Sequence, residues 1–184
     1  MSYTDASRKY TKSGKEILIR SAHVSDARGI IEIKAQVIEE EIYMLRERDE
    51  ASFTEESETA DINSHLDSEG CAYIVAVHEG KIAGLIELMN GNLKRTRHAG
   101  MLSIFIAKDY RGDGVGSMLL EELVRWAEKD PLIEKLTLAV FSVNERAIAL
   151  YKKFGFETEG ICPRDMKLGD GTYIDSILMY RFVK

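Results

Sequence analysis

Apolar residues recur along the chain with two periods, and the alternation between them lays out the elements. A short alternating run at 16–20 predicts a strand. Ile30, Ile31, Ile33, Val37 and Ile38 then follow helical spacing, with Ser25 and Asp26 as N-cap chemistry before them. A second helix is expected over 55–66, capped by Thr54 with Ser57 or Glu58 in its first turn. β-rich runs at 72–78 and 81–89 flank the turn signal Glu79-Gly80 and read as a hairpin. Another strand is expected at 100–107, then a glycine-rich loop, then an amphipathic helix to about Lys129, which Pro131 ends. A strand at 134–141, a helix opened by Asn144 and closed at Gly155, and two strands at 156–162 and 172–182 complete the series.

The resulting order is β-α-α-β-β-β-α-β-α-β-β, an α/β arrangement in which an antiparallel meander precedes a β-α-β unit. Residues 1–15 are polar and are expected to fray, leaving 16–184 as a single domain. No Pro/Gly/Ser linker, repeat or low-complexity tract divides it.

The junction Arg111-Gly112-Asp113-Gly114-Val115-Gly116-Ser117 carries the most chemical information. It ends one strand and opens a helix, so several backbone N–H groups converge at the positive end of the helix dipole. Such a corner binds anions, glycines admit a ligand close to the backbone, and Arg111 adds a planar cation suited to phosphate. It is not a Walker A loop, because Gly116 is followed by Ser117 and Met118 rather than by Lys-Ser/Thr. Nor is it a dinucleotide fingerprint, because the sixth position from Gly112 is Ser117.

Charge and composition narrow the partners. A net charge of -6 does not suggest a nucleic-acid surface. No apolar run approaches the roughly 20 residues that cross a bilayer. Two distant cysteines and four scattered histidines offer no metal-ligand spacing, and a reducing cytoplasm is the expected setting. Acidic residues crowd the stretch from Glu39 to Glu69. They read as a solvated helical face or, more sharply, as an acidic rim that attracts a cationic substrate.

Downstream of the glycine loop, Asn144, Ala147, Ile148 and Tyr151 share one helix stripe. The loop resembles the Q/R-x-x-G-x-G/A motif of the GCN5-related N-acetyltransferase (GNAT) family, and 144–156 resembles its N-x-x-A-x-x-x-Y-x-x-x-G-F segment. The element order agrees from about Ile17 to Val183. Arg97-His98-Ala99 and Gly171-Thr172-Tyr173-Ile174-Asp175 are similar to the small-amine and L-amino-acid branch.

The resemblance implies the GNAT fold: a mostly antiparallel sheet with a splayed parallel strand pair, flanked by helices. It implies acetyl-CoA as cosubstrate. Ile104, Phe105 and Ile106 would lie beside the acetyl-pantetheine arm, and Arg111, Gly112, Asp113, Gly114, Val115, Gly116 and Ser117 would wrap the pyrophosphate, with Asp113 facing solvent. Asn144 would bond the cofactor arm or act as a plain N-cap, Ala147 would line the same stripe, and Tyr151 matches the general acid that protonates the thiolate. Several members carry Glu five residues before the Asn, where this chain has Ala139. The base is then a water relay or another carboxylate, Glu87 first. Glu41, Tyr43 and Asp175 are candidate acceptor contacts. A homodimer is expected. The acceptor is expected to be an amino acid or similar small amine. The alternatives are a protein N-terminus, a polyamine, or a silent CoA-binding sensor.

Overall fold

A computed structural model describes residues 4–40, 50 and 52–184. The elements follow the expected order with one strand added. They are β1 (Ser7–Tyr10), β2 (Glu16–Ser21), α1 (Ala27–Glu39), α2 (Glu55–Asp67), β3 (Ala72–His78), β4 (Lys81–Asn90), β5 (Ala99–Ile106), α3 (Val115–Lys129), β6 (Lys135–Phe141), α4 (Glu145–Lys153), β7 (Glu157–Lys167) and β8 (Tyr173–Phe182). The addition is β1. Part of the segment expected to fray pairs antiparallel with β2, from Ser7 opposite Ile19 to Tyr10 opposite Glu16. A short polar strand has no apolar period to betray it, since its order comes from ladder hydrogen bonds rather than burial.

Among the described residues, eight strands form one sheet in the order β1-β2-β3-β4-β5-β6-β8-β7. All pairs are antiparallel except β5 with β6. Glu79 and Gly80 both take positive φ, 47° and 78°, which suits the tight β3–β4 hairpin. Thr54 caps α2, its Oγ1 accepting from Ser57 N at 3.1 Å. Asp26 stands at the N-cap of α1 but makes no cap bond. Its carboxylate instead accepts from Arg20 Nη1 and Nη2 at 2.7 and 2.9 Å and from His23 N at 2.8 Å.

The two faces of the sheet carry separate cores. Leu119, Leu120 and Leu123 of α3 and Tyr151 of α4 pack on one face with Ile74, Ile86 and Leu136. On the other, Ile30 of α1 and Ile62 of α2 pack on Tyr73, Val75 and Leu85. Strand alternation therefore decides what each position meets: odd-numbered Tyr73 and Leu85 serve one layer, even-numbered Ile74 and Ile86 the other. No helix of the described residues is long and apolar enough to cross a membrane.

Candidate active site

The parallel pair at the sheet centre does not stay paired. β5 and β6 are in register only at Ala99–Lys135, Gly100–Leu136 and Met101–Thr137. β5 continues to Ile106 and β6 to Phe141, so the strands part from Leu102 and Leu138 onward. On its other side β5 stays paired with β4 from Gly100 opposite Asn90 to Ile106 opposite Gly84. The β6-facing edge of residues 102–106 thus has no strand partner among the described residues. A central strand with an unpaired edge is costly unless something satisfies its amides, and an amide-bearing ligand does so.

A cavity of about 1160 Å³ fills this gap. Ile104, Phe105 and Ile106 line it from β5, and Ala139, Val140 and Phe141 from β6. Arg111, Gly112, Gly114, Gly116 and Ser117 line one end, and Asn144, Ala147 and Tyr151 of the α4 stripe close it. Gly112 and Gly114 take φ of +82° and +100°, conformations that side chains rarely adopt, and Gly114 is the N-cap of α3. Open space, left-handed backbone and a helix N-terminus coincide there, an arrangement that suits a phosphate-bearing ligand. Val115 points the other way, fully buried in the core. Asp113 is outside the cavity lining, its carboxylate accepting from Ser13 N at 2.8 Å and Ser13 Oγ at 2.5 Å.

Arg111 lines the cavity, but its charge is already engaged. Its Nε donates to Ile106 O at 2.9 Å and its Nη1 to the Glu40 carboxylate. It braces the loop against the end of β5, and the net positive charge expected from it is largely cancelled. Arg146, in the first turn of α4, brings its Nη2 to 3.6 Å from where a Cβ on Gly112 would stand. Sequence reasoning passed over it, although a cation in the first turn opposes the helix dipole and is a signal of a local anion site.

Asn144 does cap α4, its Oδ1 accepting from Ala147 N at 3.1 Å, while also lining the cavity. Tyr151 is 6% exposed, and its ring stacks at a tilt on Phe156, 5.9 Å between centroids. Burial pushes its phenol up to about 12.

The opposite end is built from side chains of α1, α2 and β4. Lys34 Nζ lies 3.0 and 3.1 Å from the Glu58 carboxylate oxygens and 3.8 Å from both Asp61 Oδ2 and Glu87 Oε2. Tyr73 donates its hydroxyl to Glu58 Oε1 at 2.6 Å, and burial together with the Glu87 and Glu58 charges pushes that phenol up. Glu87 lines the cavity opposite Ser103 in the β4–β5 register. Its buried Oε2 accepts no hydrogen bond among the described residues, and burial raises the carboxyl above its usual range despite the opposing pull of Lys34. Lys34 was not singled out in the sequence, and Glu58 was read there only as a first-turn residue of α2 and a member of the acidic stretch. That stretch was read as a solvated face or, more sharply, as an acidic rim; Glu58 is 3% exposed and lines the cavity.

Of the acceptor candidates, Asp175 is outside the cavity lining. Its Oδ1 accepts from Arg164 N at 2.7 Å, bonding the β7 irregularity near positive-φ Arg164. Glu41 and Tyr43 lie outside the described residues.

Comparison with known proteins places this geometry. The model of the acetyltransferase (GNAT) family matches residues 39–156. The chain is 28% identical over 166 residues to an L-amino acid N-acetyltransferase of Escherichia coli, AaaT, covering 90% of this chain and 98% of that protein. It is 31% identical over 140 residues to an E. coli spermidine N(1)-acetyltransferase, covering 76% of this chain and 72% of that one. A solved acetyltransferase of the GNAT family from Streptococcus pneumoniae superposes with a TM-score of 0.86 at 34% identity, over 90% of this chain and 99% of its own.

Proposed function

Because the chain belongs to the acetyltransferase (GNAT) family and is an acetyl-CoA-dependent N-acetyltransferase, we propose that it acetylates the primary amine of an amino acid or a similar small molecule. The observation that carries this reading is the splayed β5–β6 pair, which opens one cavity from the glycine loop to Glu87 and Tyr151. Acetyl-CoA, when bound, supplies a thioester carbonyl for the amine to attack and a thiol as leaving group.

The residues divide the remaining work. Backbone N–H groups of the glycine loop and the N-terminus of α3 hold the pyrophosphate, with Arg146 beside them. The unpaired edge of 102–106 bonds the pantetheine amides, and an N–H near Ile106 donates to the carbonyl oxygen as charge develops on it. Glu87 takes the proton from the attacking amine. A raised carboxyl pKa brings a base closer to neutral pH, where proton acceptance is most effective.

Tyr151 faces the leaving group. A phenol near 12 is protonated across the working range. Complete transfer to a thiolate is uphill, because an alkyl thiol is a stronger acid than so weakly acidic a phenol. Tyr151 therefore stabilises the departing thiolate chiefly as a hydrogen-bond donor, with net protonation following from solvent.

An α-amine, near 8, presents a useful neutral fraction at physiological pH, whereas an ε-amine near 10.4 presents almost none. A single partly buried carboxylate suits the former. A polyamine acceptor is the second reading, favoured because Glu58, Asp61 and Glu87 outnumber Lys34 at the acceptor end. The test is CoA-thiol release with a panel of free amino acids, polyamines and short peptides. Turnover concentrated in the amino acids supports the first reading, a strong polyamine preference transfers the conclusion to the second, and turnover confined to peptides removes both.

A further inference from the structure

At the phosphate end of the cavity the cation of the family motif is already engaged. Arg111 is bound to Glu40 and to Ile106 O, and Asp113 places a carboxylate inside the loop itself. Loop amides alone provide only partial charges. Among the described residues, Lys12, Arg146 and Lys153 line this cavity and enter no ion pair, and of these Lys12 is bonded through its backbone to the glycine loop.

Lys12 belongs to the turn between β1 and β2, outside the residues that the family model matches. The turn is fastened to the glycine loop at several points. Lys12 N donates to Asp113 O at 3.1 Å, Ser13 N to Asp113 Oδ1 at 2.8 Å and Ser13 Oγ to Asp113 Oδ2 at 2.5 Å. Lys15 adds a second fixing point, its Nζ 4.7 Å from the Tyr110 ring centroid. The hydrogen bond from the Ser13 hydroxyl holds the Asp113 carboxyl below its usual range, so the anchor stays ionised. Asp113 thus spends its charge on the turn, away from the cavity, and the turn returns a lysine to the cavity.

We infer that the β1–β2 hairpin is a cofactor strap: Asp113 fastens it to the glycine loop so that the Lys12 ammonium meets a phosphate of the CoA moiety. This rests on the acetyl-CoA reading above and adds a binding residue to it. It also gives β1 a purpose, since pairing with β2 fixes where the turn stands.

The test is calorimetric titration of the full-length protein with CoA, which needs no turnover. Lys12→Ala is expected to weaken CoA about tenfold, Lys12→Arg to recover most of the loss, and the salt dependence of log Kd to become shallower in Lys12→Ala. Asp113→Ala, which frees the turn, is expected to weaken CoA severalfold with Lys12 intact. Lys9→Ala, whose ammonium pairs with Glu121, is expected to bind as the parent does.

Repeating the titration with 3′-dephospho-CoA distinguishes the phosphates. If the Lys12→Ala penalty vanishes, Lys12 meets the 3′-phosphate. If it persists, Lys12 meets the pyrophosphate. Parent-like binding of CoA by Lys12→Ala overturns the strap while leaving the acetyl-CoA reading standing. A parent protein that binds no CoA overturns that reading and the strap with it.

Discussion

The two ends of the cavity are made of different materials. The donor end is mostly backbone: the unpaired edge of 102–106, the left-handed Gly112 and Gly114, and the first turn of α3. The acceptor end is side chain: Lys34 from α1, Glu58 and Asp61 from α2, and Glu87 from β4, held in one ionic cluster. Backbone presents the same amides whatever the sequence, so an end built from it suits an invariant ligand. An end built from side chains can be rewritten one residue at a time, which fits a site whose acceptor must be specified. The chain thus separates what it holds from what it chooses.

The separation can be broken experimentally. The largest effect is expected at Lys34. Lys34→Met leaves Glu58, 3% exposed, without its cation and should cost about 4 kcal/mol of stability in urea unfolding, while CoA binding by the folded fraction is kept. A parallel loss of CoA affinity in folded protein would show that the two ends are coupled. Glu87→Gln comes next. A lost base should lower kcat about 10²- to 10³-fold with the KM for acetyl-CoA within twofold of the parent.

The pH dependence sharpens that assignment. A base works when ionised, so the rate falls as pH drops through the pKa of Glu87. Burial raises that pKa, and the acidic limb should lie above the usual carboxylate range and disappear in Glu87→Gln. A profile that overlays the parent would remove Glu87 as the base.

Smaller changes are expected at the shared middle and at the donor end. Tyr151→Phe removes one hydrogen bond to a developing thiolate and should lower kcat about 10- to 100-fold, with both KM values little changed. Gly114→Ala forces a side chain to φ +100° at a strain of about 1 kcal/mol, and should raise the KM for acetyl-CoA roughly fivefold without touching the acceptor KM.

The same contrast explains what could be read in advance. The donor end was legible because its parts are local: glycines at fixed spacing between a strand and a helix, then Asn144, Ala147 and Tyr151 on one stripe. The acceptor end was not, because Lys34, Glu58 and Glu87 come from three elements and only the sheet and its helices bring them together. Glu87 was put forward from the resemblance, because Ala139 occupies the position of a common base, and the structure puts it in the cavity lining. Glu58 was hidden among acidic neighbours, since composition cannot tell a carboxylate that turns inward from one that faces solvent.

Two donor-side details were also out of reach. That Arg111 is consumed by Glu40, 71 residues away, and Asp113 by Ser13, 100 residues away, depends on long-range contacts that no local pattern encodes. β1 escaped for a similar reason, being polar and held by its ladder rather than by burial.

Amide hydrogen exchange with and without CoA tests the division of the cavity most directly, because it reads the backbone that the donor end is said to be made of. Saturating CoA should slow exchange at 102–106 and at 112–118, with α2 and the β3–β4 hairpin unchanged. Protection concentrated at α2 and β4 instead, with the glycine loop and the β5 edge unaffected, would contradict the account.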